Sequence, residues 1–414
     1  MATVEQTSTG VSFALTDEQK ELRSLAREFA AKEIRPKAAE YDEHSTHPAD
    51  VIAKAHSLGL MNLHVPETYG GLGLAAFDGM LVGEELNWGC SGIGTSISAN
   101  GLGAGPVIIA GTDEQKARWL PPLLEEPILC SFGLSEPGAG SDVARMGTTA
   151  ERRGDEYVLN GSKTFITNAG HAAWTVVFAK TDPKKGHRGI SAFVVPMDTP
   201  GVTIEKHLDK MGQRSTDTSA FALADVVVPA ENRLGEEGEG FKIIMRALQP
   251  GRVNIAAKCV GLAQACFEEA VRYANDRTVR GQPIGKFQMI QDFIAEMAVA
   301  IEASRALVYK AAYCMDNNLP SNRIASIAKY HASQTAKMCA DKTQQIFGGY
   351  GFAREYRVSW YRVYADMLYN GEGSANIQKI ILAEDALGYK VADRYHGKTS
   401  LRDVRKTDVA AAAD

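Results

Sequence analysis

Paired cysteines, histidine metal motifs, basic charge excess and long apolar runs are all missing from this chain. Its six cysteines (Cys90, Cys130, Cys259, Cys266, Cys314, Cys339) are scattered, and none forms a CxxC pair. Cys259 and Cys266 lie seven apart, on one face of an expected helix, a pattern of core packing. The nine histidines show no HExxH or related spacing, and His44 and His47 fall in a polar stretch expected to be solvated. No metal is expected. A net charge of −5 and a pI of about 6.0 leave no basic field to attract nucleic acid. No apolar run reaches membrane-spanning length, so no membrane partner is expected. Met1 to Glu5 has neither a basic nor an Arg-rich amphipathic pattern, so no targeting segment is expected and a cytoplasmic location is. The glycine-rich turn Val65–Leu74 is not a phosphate-binding Walker loop, because no Gly-Lys-Ser/Thr follows it.

What remains is ordinary globular material. At 414 residues, 45% hydrophobic, the chain can bury a large core and fill two or three domains. Residues 1–12 are expected to form a disordered tail. Thr16-Asp17-Glu18 then caps a helical run in which Leu22, Leu25, Ala26 and Phe29 share one face. Pro36 can pause that run, and Gly59 ends another that begins near Val51. Helical texture continues over 75–124. Glu84 and Glu85 there diverge on a helix surface and suit a solvated face.

From Leu129 to about Pro229 the texture changes to short β-branched runs bounded by turns such as Asn160-Gly161, Asp182-Pro183 and Pro200-Gly201. After Gly238-Glu239-Gly240 long periodic stretches return, Val253–Arg277 and Gln288–Tyr313 among them, with loops at Asn317–Ser321 and Gly348–Gly351. The expected fold is α+β, mainly α: an N-terminal helical bundle (13–128), a middle β-barrel or sandwich (129–240) and a C-terminal helical bundle (241–395), then a tail (396–414).

The stretch that organises the chain is Tyr369-Asn370-Gly371-Glu372-Gly373-Ser374-Ala375-Asn376. One carboxylate sits between two glycines, before an apolar helical run. Glycines allow close backbone approach to a ligand, and a carboxylate desolvated there can act as a general base. The same residues also suit a plain helix entry, with the acid complementing the dipole. Three other segments combine glycines with hydroxyls or backbone donors suited to anions: Leu134–Asp142, Lys163–Asn168 and Gln345–Gly351.

These four segments, in a helix–β–helix order, resemble the acyl-CoA dehydrogenase family, closest to its medium- and short-chain group. Pro66-Glu67 through Gly70-Gly71-Leu72-Gly73-Leu74, Ser135–Asp142, Met211–Thr218 and Val260–Gln264 carry the likeness, which spans about 13 to 390. The resemblance implies a C-terminal four-helix bundle and FAD at its junction with the β domain. It places Phe132, Leu134, Ser135, Gly140 and Ser141 along the flavin, with Phe165, Ile166 and Thr167 on its other side. Ser374 and Asn376 hold the flavin beside the base. Arg277, Thr278, Phe287 and Gln288, with Gln345, Ile346, Gly348 and Gly349, reach the FAD of a neighbouring subunit in a homotetramer. Ser141, Gln249 and Arg252 contact CoA, and Gly371 and Gly373 flank the substrate.

The implied reaction is α,β-dehydrogenation of an acyl-CoA to trans-2-enoyl-CoA. Glu372 takes the α proton, flavin N5 takes the β hydride, and electrons pass to an electron-transfer flavoprotein. Some relatives carry the base at the position that is Gly251 here, which leaves Glu372. An acyl-CoA oxidase and a silent acyl-CoA-binding subunit are the alternatives. The chain departs from the family pattern at Gly371, often Tyr in close relatives, so a branched or cyclic acyl group is expected to fit unless Tyr369 or Trp360 refills the gap. It departs again at Arg280, in place of an aromatic, and at Val363–Asp366 and Glu384.

Overall fold

The computed structural model describes residues 14–388; the two expected tails, and residues 389–395, lie outside the described residues. The N-terminal part is helical: α1 (Asp17–Phe29), α2 (Ala38–His44), α3 (Ala49–Ser57), α4 (Ala76–Gly89), α5 (Ser91–Ser98), α6 (Asn100–Ala110), α7 (Asp113–Trp119) and α8 (Pro122–Glu125). Two of these helices begin in capping boxes. Thr16 Oγ1 accepts from Gln19 N–H while Gln19 Oε1 accepts from Thr16 N–H, and Thr112 and Gln115 repeat the arrangement. A π-turn, Ala30–Ile34, precedes Pro36, where the run pauses before α2.

The middle part is one mixed sheet: β1 (Leu129–Gly133), β2 (Thr149–Arg153), β3 (Glu156–Thr167), β4 (Ala172–Lys180), β5 (Ile190–Pro196), β6 (Val202–His207), β7 (Thr218–Pro229) and β8 (Arg233–Leu234). The order is β6-β7-β3-β2-β4-β5-β8, with β1 lying parallel beside β4. The path does not return on itself among the described residues, so the expected barrel is an open sheet. One face packs on Val107, Leu120, Leu123, Ile243 and Ile244; the other buries Tyr157, Phe193, Phe221 and Val226.

The C-terminal part is α9 (Gly240–Asp276), α10 (Gln288–Asp316), α11 (Asn322–Phe347), α12 (Val358–Asn370) and α13 (Ala375–Leu387), with a two-stranded ribbon, β9 (Thr278–Val279) and β10 (Gln282–Pro283), between α9 and α10. The two helical parts share a single core. It runs from Phe29 and Ile34 through Leu86 to Val260, Ile301, Phe347 and Leu368. Gly261 makes this possible on α9, because a Cβ there would overlap the Glu84 carbonyl of α4.

That shared core corrects three expectations. Glu84 and Glu85 are buried, because α4 is enclosed along its whole second half. Arg305 neutralises Glu84 at 2.9 Å; Arg23 and Arg27 hold Glu85 at 2.7 and 2.9 Å. His47 is not simply solvated: it stacks on His171 with ring centroids 3.9 Å apart, and burial, with His171 beside it, pushes its pKa down to about 4. The stretch Ser91–Ala110 is long and apolar enough to cross a membrane by composition, but half of it is buried in the fold, where α6 packs on β1 and α9. Cys259 and Cys266 are fully buried on α9, as their spacing suggests.

Candidate active site

Glu372 occupies the short connection between α12 and α13. Its φ of 50° is left-handed, an uncommon and costly conformation for a residue with a Cβ. Two neighbours hold it there. Gly373, at φ 83°, lies where a side chain would crowd Gln378, whose Nε2 donates to the Gly373 carbonyl at 2.9 Å. Lys329, wholly buried on α11, donates to the Tyr369 carbonyl at 2.8 Å and so anchors the end of α12. Ser374 caps α13, accepting from Ile377 N–H at 3.4 Å, and Asn376 is exposed on its first turn.

The carboxylate points at α9. Its Oε2 is buried without a hydrogen-bond partner and fills the space over Gly251, where a Cβ would overlap it. Pro250 precedes it inside α9 and cannot make the usual bond to the Arg246 carbonyl. Burial raises the Glu372 pKa; the nearby charges of Lys258, Lys329 and Arg252 work against that rise. Lys258 is 3% exposed and lies seven residues from Gly251, on the same face of α9. An unpaired, partly neutralised carboxylate in such a place has the properties of a general base.

A second group forms where β1 leaves the sheet. Phe132, Leu134, Ser135, Gly140 and Ser141 run from β1 into an exposed loop, and Phe165, Ile166 and Thr167 end β3. The two segments meet: Thr164 N–H donates to the Ser135 carbonyl at 2.9 Å. Lys163 is fully buried and donates to Leu134 O at 3.3 Å, Phe178 O at 2.7 Å and Glu136 Oε1 at 2.8 Å. Burial pulls its pKa down to about 8, against the pull of Glu136. Burial alone would raise the Glu136 carboxyl, but Lys163, Thr148 and Gly147 N–H hold it below its usual range. This ion pair clamps the two segments together. In the β3–β7 ladder the register slips between Lys163 and Ile166, which turns Phe165 outward at φ 59° and 70% exposed.

A third group is separate. Arg277, Ile346, Gly348 and Gly349 line a cavity of about 520 Å³ with Tyr273, Phe347 and Tyr350. Thr278 and Gln288 are exposed nearby, Phe287 packs on the core, and Gln345 is exposed and donates to Asp341 at 2.9 Å. No member of the Glu372 group lines this cavity. Gln249 donates to Ser321 Oγ, and Arg252 is half-buried beside the carboxylate.

Comparisons with known proteins agree from residue 16 to residue 387. Three family profiles match in order: the acyl-CoA dehydrogenase N-terminal domain over residues 16–127, its middle domain over 131–226 and its C-terminal domain over 238–387. The short-chain specific acyl-CoA dehydrogenase of Rattus norvegicus mitochondria is 40% identical over 373 residues, 90% of each chain. A Bacillus subtilis protein named "Probable acyl-CoA dehydrogenase YngJ" is 42% identical over 91% of this chain and 100% of its own length. The chain belongs to the acyl-CoA dehydrogenase family. A solved structure of butyryl-CoA dehydrogenase from Megasphaera elsdenii superposes with a TM-score of 0.89 at 40% identity, covering 91% of this chain and 100% of that one.

An acyl-CoA dehydrogenase is an oxidoreductase and an FAD flavoprotein, and this chain's residues fit that cofactor. Gly138, Gly140, Gly348 and Gly349 have nothing within 4 Å of where a Cβ would stand, leaving backbone free to approach a ligand. The exposed Phe165 ring, next to the Thr164 that pairs with Ser135, offers a flat apolar surface on the side of Gly138 and Gly140. Sequence reasoning missed Lys163–Glu136, Lys258 and Lys329. Lys163 and Glu136 stand within the glycine-and-hydroxyl segments, but nothing in their spacing announces a pair. Lys258 and Lys329 are isolated lysines in helical runs, and their only signal is a charge amid apolar neighbours.

Proposed function

We propose that this acyl-CoA dehydrogenase converts an acyl-CoA thioester to its trans-2-enoyl-CoA, with Glu372 as the general base. The buried, unpartnered Glu372 Oε2, held over Gly251, is the observation that carries this reading. Arg252 and Gln249 of α9, with Ser141, bind the CoA portion, where the Arg252 guanidinium supplies charge. Gly371 and Gly373 let the thioester lie against the backbone, and Glu372 N–H donates to its carbonyl oxygen. That donor stabilises the negative charge that develops as the α C–H bond breaks. The proton passes to Glu372 Oε2. The acyl chain excludes water and strengthens the carboxylate's hold on it. FAD, when bound, supplies the acceptor for the hydride released from Cβ.

Phe132, Leu134, Ser135, Gly140, Ser141, Phe165, Ile166 and Thr167 form the walls for the flavin, and Ser374 and Asn376 fix it beside Glu372. Arg277, Thr278, Phe287, Gln288, Gln345, Ile346, Gly348 and Gly349 serve the FAD of a neighbouring subunit in a homotetramer. The open cavity at Arg277 and Gly348 supports that assignment, being remote from the Glu372 group. The reduced enzyme passes its electrons to an electron-transfer flavoprotein.

The acyl group is short or medium in length, and branching or a ring is accommodated at Gly371. A Cβ there would meet only the Met367 carbonyl, at 3.6 Å. Tyr369 is drawn away from this space, its ring lying under the Lys337 ammonium of α11 at 4.8 Å. Anaerobic bleaching of the flavin by a panel of thioesters tests the reading. Cyclohexanecarbonyl- and 2-methyl-branched CoA esters should bleach at least as fast as butanoyl- and octanoyl-CoA. Faster straight-chain reduction refutes the role of Gly371, and no bleaching by any thioester refutes the activity.

A further inference from the structure

A cavity of about 60 Å³ lies between α4, α6 and α9, and it opens about one helical turn along α9 from Gly251. Asn254 of α9 lines it, three residues beyond Gly251 and on nearly the same face, about 4.5 Å along the helix from the residue that the carboxylate covers. Leu102 of α6 borders the same spot, with Cδ1 3.8 Å from a Cβ position on Gly251. Ser98 of α5, Gly101 and Ala104 of α6 and Gly83 of α4 form other walls, and the exposed His64 lines it as well. Gly251 and Leu102, which border the carboxylate, are thus chain neighbours of Asn254 and Gly101, which line the cavity.

The polar groups here differ in one respect. Asn100 donates to Asn62 and to the Ile128 carbonyl, and its Oδ1 accepts from Cys130 N–H. Ser98 donates to the Gly94 carbonyl, and His64 Nδ1 pairs with the Leu74 carbonyl. Asn254 Oδ1 is the one lining atom, among the described residues, that is buried with no hydrogen-bond partner. Leaving a buried amide oxygen unpaired costs free energy that a ligand donor can recover. A hydrocarbon tail would leave it unpaired in the complex as well.

We infer that Asn254 is a specificity residue that accepts a hydrogen bond from the far end of the acyl chain, and that the enzyme takes an acyl-CoA bearing a hydroxyl group several carbons beyond Cβ. The inference rests on the reading of Glu372 as the base, since the cavity is placed relative to that carboxylate. A site that hydrogen-bonds a substrate hydroxyl discriminates strongly against the analogue lacking it, whereas a purely apolar end does not favour the hydroxyl.

The test compares hexanoyl-CoA with 6-hydroxyhexanoyl-CoA, in wild type and in Asn254→Leu, by kcat/KM and by anaerobic flavin bleaching. Wild type should prefer the hydroxylated thioester by about tenfold or more, and Asn254→Leu should reverse the preference by raising KM for that thioester, with hexanoyl-CoA turnover retained. Asn254→Asp, an acceptor of the same shape, should keep the preference for the hydroxyl. Turnover of both thioesters with the same ratio in wild type and Asn254→Leu overturns the inference and leaves the proposed reaction standing. Bleaching by neither, in protein that holds FAD, overturns both.

Discussion

The Glu372 carboxylate occupies the place that a side chain at Gly251 would take. The two residues are far apart in the chain and come together because the connection that follows α12 lies against α9 at Gly251. Gly251→Ala is therefore expected to displace Oε2 without touching the proposed flavin walls. Misplacing a catalytic group by about 1 Å can cost about 100-fold in rate. Gly251→Ala should slow thioester-driven bleaching by roughly that factor with the yellow colour retained. Stopped-flow absorbance checks it; an unchanged rate would show that the carboxylate works from elsewhere.

The pH dependence has a definite sign. Glu372 must be ionised to accept a proton, and burial raises its pKa while Lys258, Lys329 and Arg252 oppose the rise. Bleaching should slow as pH falls through that raised pKa. Lys258 faces Glu372 and the Cys259 thiol, and its own pKa is lowered by burial. Lys258→Met removes one opposing charge, so the acid limb should move to higher pH, and Lys258→Arg should leave it in place. A limb that stays put in Lys258→Met would show that Lys258 only packs.

Stability should respond in the opposite sense to activity. The folded pKa of Glu372 lies above the unfolded value of about 4.3. Its contribution to stability is therefore full below the unfolded pKa and is lost as pH rises through the folded one. Above that range the native state carries a buried, unpaired ion. Glu372→Gln should raise Tm at pH 8 and change it little at pH 4, which calorimetry at the two values reads directly.

Lys163 and Glu136 hold the β1 exit and the end of β3, the two segments proposed to wall the flavin, together from inside the sheet. Glu136→Ala would leave Lys163 buried and unpaired, at an expected cost of about 3–5 kcal/mol. The double variant Glu136→Leu/Lys163→Met should recover most of that loss in a denaturant titration. Equal losses in the single and double variants would contradict the clamp.

What could be seen in the sequence was local. The cap at Thr16, the β-branched runs of the middle sheet and the glycines around Glu372 each state their conformation within a few residues. What could not be seen depended on distant partners. Glu84 and Glu85 look like surface residues until Arg305, Arg23 and Arg27 arrive from other helices. His47 looks solvated until the β3–β4 turn brings His171 against it. The outward turn of Phe165 comes from a register slip against β7, which spacing within β3 does not reveal. Lys258 and Asn254 read as ordinary helix positions, because only the packing of α4, α6 and α11 on α9 shows what surrounds them.

The most direct test of the account is rapid anaerobic mixing of Glu372→Gln with a thioester that bleaches wild type. Positioned general bases contribute about 10²–10⁴-fold, so bleaching should slow by at least that factor while FAD content and thioester binding stay at wild-type levels. Full bleaching at the wild-type rate would remove Glu372 from the role of base and contradict the account at its centre.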